Sequence, residues 1–443
     1  MLSEAEGRQL VERAIASSRA QDVQISLVAS EGEHLRFARN SPTTSGRYCD
    51  HTLSVRSTFG RRSATAIANQ LDAASLGEVV QRSEQLAQLA PEDPEHMPDL
   101  GPQSFANVAA FDAELSSAGA AQMVAGSAAC LERVRAAGLI AAGFSEATDR
   151  ATWLGNRRGL SAYHRSTETG FSTTVRTPSG DGSGWAAAAG NSIRDLDHVR
   201  CAQRAIEKAR RSVGPKPLEP GKYVTVLEPA CVASLMQLLL FSMNARSADE
   251  GRSFFSEPGG KTKLGQQLFP ESVSIRSDPG AALAPGAPFA ADGQPQRARA
   301  WIDRGRLDTL ACERYWAEQR GREAVPPASN LIMAGGKGSL EELIASTERG
   351  VLITSLWYIR FVDPRTLLFT GLTRDGVFWL ENGKISHPVR NFRWNDSPIR
   401  VLQQVQAMSE SVRASPRDGS ATNLWVPALR VKEFELSSVS DAV

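Results

Sequence analysis

Residues 227–279 read LEPACVASLMQLLLFSMNARSADEGRSFFSEPGGKTKLGQQLFPESVSIRSDP. The stretch opens as a helix. Pro229 suits a first helical position, because its missing N–H has no partner there in any residue. Val232, Leu235, Met236, Leu239, Leu240 and Met243 recur at the spacing of one helix face. Residues 244–251 break the pattern. A basic, glycine-containing loop with Arg252, Lys261 and Lys263 follows. Between Pro229 and Asp249 there is no His and no Glu. Residues 234–243 offer no side chain that zinc ordinarily takes.

Upstream of this helix the pattern alternates between helix and strand. Residues 3–19 predict a first helix, with Ser3 as cap and Glu6 in the capping-box position. Residues 22–29, 34–39, 50–56 and 63–68 alternate as strands, and residues 71–89 return to helical spacing. The prolines and acids of residues 90–103 mark a linker. A long helix over 112–137 follows. Strands are expected at 139–146, 151–156, 160–166 and 168–177, then a turn at 181–185, an alanine-rich strand and a helix over 195–213. Residues 214–221 form a second linker.

Downstream, strands predominate: 223–227, 273–277, 331–334, 350–361, 367–375, 377–381, 384–386, 425–431 and 434–439. Asn382-Gly383 is a hairpin signal, since both residues accept positive φ. Residues 339–349 predict a short helix capped by Ser339, with Glu342 at its third position. Residues 388–398 read as loop and 399–411 as helix. The fold class is therefore α+β: an N-terminal helix–antiparallel-sheet–helix region followed by a β-rich C-terminal domain. The division is 1–90, 104–213 and 222–443.

Bulk properties narrow the function. A chain of 443 residues suits two or three domains at roughly 100–200 residues each. The net charge is +1, so no global field draws nucleic acid or an acidic membrane. Five widely spaced cysteines without a C-x-x-C argue against a disulfide framework or a cysteine-rich zinc site. No apolar run is long enough to span a bilayer, and residues 1–20 lack the apolar core of a signal peptide. A cytoplasmic protein without nucleic-acid or membrane partners is expected.

The pieces gain meaning from their order. Residues 51–66 form a strand, a Gly-Arg turn and a strand. LSAYHRS (160–166), DGSGW (181–185), EGRS (250–253), SLEEL (339–343), TGLTRD (370–375) and ENGKI (381–385) follow. This series resembles the TldD/PmbA family of peptidase-related proteins over nearly the whole chain. The catalytic branch of that family carries a His-Glu-x-x-x-His zinc motif on the helix before the loop, where this chain has none. The chain is therefore similar to the PmbA/TldE-like branch. That resemblance implies a non-catalytic subunit without a cofactor of its own. It would pair with a TldD-like metallopeptidase, which would hold the zinc, in a heterodimer acting on peptides or peptide-like intermediates. The alternatives are a free-standing metallopeptidase with an atypical site and a homodimeric peptide-binding protein.

Other chemistry is thinly signalled. The histidines are His34, His51, His96, His164, His198 and His387, and no two are close enough in sequence to share a helix face. Tyr163, His164 and Arg165 form the most suggestive cluster, a base and a cation on one strand that could face substrate. The plainer alternative is a half-exposed strand. Glu250, Arg252 and Ser253 are the second set of substrate-groove or partner-surface candidates, against solvated loop charge. Asp181-Gly182-Ser183-Gly184-Trp185 lacks nucleophile-elbow spacing and is expected as a turn with Trp185 in the core. Residues 334–339 lack phosphate-loop spacing. Residues 356–359 (LWYI) are expected as a buried strand.

Overall fold

The computed structural model describes residues 1–419 and 422–440. Strands β1 (Asp22–Ala38), β2 (Ser41–Phe59), β3 (Arg62–Ala68), β4 (Ile140–Asn156), β5 (Ser161–Arg176) and β6 (Ser183–Gly190) form one antiparallel sheet. Their order is β3-β2-β1-β4-β5-β6. Strands from residues 1–90 and 104–213 thus share a single sheet, because β1 pairs with β4 from Gln24 to Phe37. The short runs expected at 22–29 and 34–39 merge into one strand of 17 residues. Polar residues 30–33 interrupt the side-chain pattern there. The backbone continues because β2 and β4 supply hydrogen-bonding partners on both sides. The same holds for β4 and β5, each of which reads as two runs in the sequence.

Alternation along the strands divides the sheet into two faces. Val23, Ile25, Leu27, Leu53, Val55 and Trp153 pack under helices α1 (Glu4–Ser17) and α2 (Ala73–Leu89). Helices α3 (Ala113–Ala136) and α4 (His198–Arg211) cover β4–β6 around Cys130, Val134, Phe171, Cys201 and Ala205. The opposite face is mostly polar, with Leu154 and Ala162 buried against Phe289 at one place. The expected capping box at Ser3 is present: the Ser3 N–H donates to Glu6 at 2.8 Å, and the Glu6 N–H donates to Ser3 Oγ at 3.2 Å.

The C-terminal part holds two larger sheets, of nine and six strands. Strand β7 (Gly221–Leu227) lies inside the nine-stranded sheet, parallel to Arg349–Ile353 and antiparallel to Leu429–Val439. Helix α5 (Pro229–Ser242) touches β7 of one sheet and Asn423–Val426 of the other. That position between two sheets explains its composition. A helix wrapped by protein is apolar all round rather than on one stripe, and Cys231 through Met236 are all buried. The main core forms around it, with Phe255, Trp301, Trp394, Leu424 and Phe434.

Several local expectations change: Ser183–Trp185 of the turn expected at 181–185 already belong to β6, and the strand expected at 350–361 divides into Arg349–Ile353 and Leu356–Asp363. Residues 388–398 contain a strand, Phe392–Asp396, paired with Leu368–Thr373 and Leu429–Val439. Helical spacing over 399–411 yields only the short helix Pro398–Gln403, after which Val405–Met408 joins the sheet. The apolar run at 356–359 belongs to the edge strand Leu356–Asp363, not a buried one. Only Leu356 of the run is buried, and Tyr358 is exposed with φ 54°. Arg374 stacks on Trp357 at 4.2 Å and Arg360 on Tyr358 at 4.0 Å, so cations cover part of this edge.

Candidate functional site

Helix α5 begins at Glu228, which stands at the N-cap without capping through its side chain. Its carboxylate turns instead to α4, accepting from Lys208 Nζ at 2.7 Å and Arg204 Nη2 at 3.2 Å. Glu228 is 4% exposed. Burial lowers the Lys208 pKa, and Glu228 is the first influence that raises it again. Lys208 also donates to the Trp185 carbonyl at 3.2 Å. One buried ion cluster therefore fixes the start of α5 to the N-terminal sheet region. The Cys231 thiol donates to the Ile353 carbonyl at 3.3 Å, and burial raises its pKa well above the ordinary thiol value. That makes it an inert core thiol rather than a nucleophile.

Along the helix, Ser234 Oγ donates to the Ala230 carbonyl at 3.0 Å and Ser242 Oγ to the Leu238 carbonyl at 2.8 Å. Both hydroxyls are consumed by their own helix. Near its end, Leu238 and Leu240 are half-buried and Phe241 is 90% exposed. An aromatic ring this open on an otherwise enclosed apolar helix is a natural anchor for another surface.

The break after α5 is a new helix start. Asn244 Oδ1 accepts from the Ser247 N–H at 2.9 Å and caps α6 (Ala245–Asp249). Arg246 pairs with both carboxylate oxygens of Glu95 at 2.7 Å. The proline-rich linker is thus tied across to this loop, and Arg314 adds a bond to the Pro98 carbonyl at 2.7 Å. Arg246 also reaches Glu250 at 3.1 Å. Arg252 and then Arg246 hold the Glu250 carboxyl below its usual range. Ser253 Oγ accepts from the Phe255 N–H at 3.0 Å. Glu250 and Arg252 are therefore engaged with each other, and Ser253 with the loop backbone. Glu250 and Ser253 also border an open cleft of about 500 Å³ beside Gly259 and Gly260.

Tyr163, His164 and Arg165 part company. Tyr163 packs against Trp153, centroids 5.2 Å apart, and Arg165 forms a two-pronged bond with Asp149 at 3.0 and 2.5 Å. Arg165 also lies 4.0 Å over the Phe111 ring. By alternation, His164 alone points to the polar face. It is half-buried opposite Thr152, and burial lowers its pKa. His34 and His51 do not meet either. His51 sits opposite Ala29 and His34 opposite Gly46, five positions along the sheet or about 17 Å. Among the described residues no set of three or more His, Cys, Asp or Glu is placed to hold a metal ion.

Two further motifs turn out to join parts of the fold. Ser183 of DGSGW donates to Asp375 of TGLTRD, and Asp375 also pairs with Arg417. Gly184 lies so close to α4 that a Cβ would stand 2.2 Å from the Ala205 carbonyl oxygen. Trp185 is buried, as expected. Ser339 and Glu342 form the expected capping box, at 3.0 and 3.1 Å. Between β4–β6 and residues 413–419 and 422–424 lies a cleft of about 330 Å³, bordered by Glu146, Glu168 and Trp185. Burial, then Glu168, raises the Glu146 pKa. The register places Glu146 and Glu168 on one face of the sheet, which no local pattern reveals.

Residues 220–438 match the family model described as the PmbA/TldA metallopeptidase C-terminal domain, and residues 108–213 match its central domain. The chain belongs to the PmbA/TldD family. Its fold is similar to that of TldE from Thermococcus kodakarensis, with TM-score 0.86 and 16% identity over 97% of this chain and 99% of that one. A proposed modulator of DNA gyrase from Thermotoga maritima gives TM-score 0.83 at 18% identity, covering 97% and 99%. Another from Bacteroides thetaiotaomicron gives 0.82 at 19%, covering 99% and 100%. No curated protein matches the chain. Within this family fold, α5 has neither a His nor a Glu along its length, and no helix among the described residues is long and apolar enough to cross a membrane.

Proposed function

We propose that this chain is the non-catalytic, TldE/PmbA-like subunit of a heterodimeric metalloprotease. A TldD-like partner supplies the zinc, and the pair acts on peptides or peptide-like intermediates. One observation carries the reading. Here α5 is a largely buried apolar helix with no His, Asp or Glu, its one thiol, Cys231, is held in the core against the Ile353 carbonyl, and its end offers an exposed Phe241. Its hydroxyls are spent on its own carbonyls. The helix therefore contributes shape and a contact surface, not Lewis-acid chemistry.

The test is co-expression with a TldD-like metallopeptidase, followed by metal analysis and peptide hydrolysis on the lone chain and on the complex. Zinc and activity confined to the partner-containing sample support the proposal. Stoichiometric zinc with full activity in the lone chain overturns it. Two substitutions refine the test. Phe241→Asp is expected to weaken pairing by about 10–100-fold, the effect of removing an aromatic anchor at a protein interface, with the melting temperature of the lone chain nearly unchanged. Equal affinity of variant and wild type removes Phe241 from the contact. Ser234→Ala with Gln237→Ala is expected to leave the metal content of the lone chain unchanged. Loss of a bound metal on that double substitution would falsify the scaffold role of α5.

A further inference from the structure

Between α3, α4 and the sheet lies a buried polar layer that the family motifs do not touch. His198, the first residue of α4, is 6% exposed. Its ring packs against Phe171 with centroids 4.5 Å apart. A Cβ on Gly126 of α3 would stand 2.4 Å from the ring, so only glycine there admits it. His198 Nε2 has no hydrogen-bond partner. The hydroxyls of Ser127 on α3 and Ser145 on β4 are buried and unpartnered in the same region of the fold. Thr173 on β5 is buried there too, beside the Cys130 thiol. Orphaned groups gathered in one helix–sheet region are unusual, since buried polar atoms are nearly always paired.

The charged and titratable groups around His198 can be named for each packed element. Asp197 precedes it, but its carboxylate caps α4 through the Arg200 N–H at 2.8 Å. Cys201 on α4 and Cys130 on α3 are thiols pushed up to about 11 by burial, hence neutral. From β4 and β5 come the hydroxyls and Phe171. The buried layer around the ring is otherwise apolar, and Asp197 is the carboxylate whose field reaches it.

We propose that His198 is an acid-sensitive latch: neutral, it lets α4 seat on α3 and the sheet, and protonated, it loosens α4 and with it the start of α5. The second step follows from connectivity, because Arg204 and Lys208 on α4 hold Glu228 at the start of α5. Burial depresses the His198 pKa below the ordinary 6.5, with Asp197 a smaller opposing influence. A depressed histidine binds fewer protons in the folded state. Its contribution is complete above the unfolded pKa, and stability falls as pH drops below 6.5. This inference does not depend on the pairing proposed above.

The experiment is hydrogen–deuterium exchange on the full chain at about pH 7.5 and about pH 5.5, either side of the ordinary histidine pKa, corrected for intrinsic rates, with thermal melts across the same range. Protection is expected to fall by about three- to tenfold in peptides covering residues 198–211 and 229–236, and to hold in residues 73–89. His198→Phe is expected to flatten the pH dependence of the melt. Should that variant not fold, His198→Gln reads the same difference, and the wild-type exchange pattern needs no variant. Uniform exchange changes throughout the chain, or parallel melting profiles for wild type and variant, overturn the latch.

Discussion

Glu228→Ala is expected to lower folding stability by about 3–5 kcal/mol, the usual result of removing one partner from a buried ion pair. Lys208 would remain enclosed beside α5 without its carboxylate, held only by the Trp185 carbonyl at 3.2 Å. The pH dependence identifies the cause. Burial already depresses the Lys208 pKa below 10.5, and Glu228 opposes that depression. Without Glu228 the folded state holds the lysine proton less tightly than the unfolded chain. The penalty is therefore full below the depressed folded pKa and shrinks as pH rises from there towards 10.5. Arg204 is 43% exposed in its side chain and adds little, since solvent screens it. Replacing both partners, with Lys208→Met and Glu228→Leu, is expected to recover most of the loss, as apolar pairs of similar volume do. Urea titration of the single and double variants beside wild type measures it. A single substitution costing no more than a surface pair would show that water reaches the cluster.

Asp375→Asn is the second large effect, expected to cost about 3–5 kcal/mol. The Asp375 side chain has 0% exposure and pairs with Arg417, whose side chain is 14% exposed. Its neighbour Arg374 approaches at 3.8 Å. Asparagine keeps an acceptor for Ser183 and tolerates the φ of 53° at this position. The loss thus isolates the charge. Because Arg417, left without its carboxylate, also lies 5.3 Å over the Trp185 ring of β6, the variant is expected to loosen the joint between β6 and the C-terminal part. Limited proteolysis should then cut residues 214–220 faster than in wild type. Increased cleavage elsewhere with an intact joint would place the damage within the C-terminal sheets instead.

These two clusters explain why the motifs were legible while their meaning was not. Ser183 of DGSGW and Asp375 of TGLTRD are 192 positions apart, and in sequence they say nothing of each other. In the fold they form one contact. The candidate residues fared similarly. Arg165 reads as a free cation on a strand, but Asp149 lies within reach only because β4 pairs with β5. Glu250 and Arg252 read as groove charges, yet they pair with each other, and Glu250 also with Arg246. Glu146 and Glu168, which border the cleft beside Trp185, carried no motif at all. Register alone brings them to one face.

Local chemistry was read directly wherever it depends on near neighbours. The capping boxes at Ser3 and Ser339, the start of α5 at Pro229 and the Asn382-Gly383 hairpin depend on side chains within a few positions. The absence of His and Glu on α5 is equally a property of the chain itself. Tertiary structure decided the rest. It joined two apparent α+β units into one sheet through β1 and β4, turned the LWYI run into an exposed edge, and enclosed α5 between two sheets. The physical reason is that strand pairing and burial join residues distant in sequence, and a helix or strand pattern records its own apolar face but not the surface that will cover it.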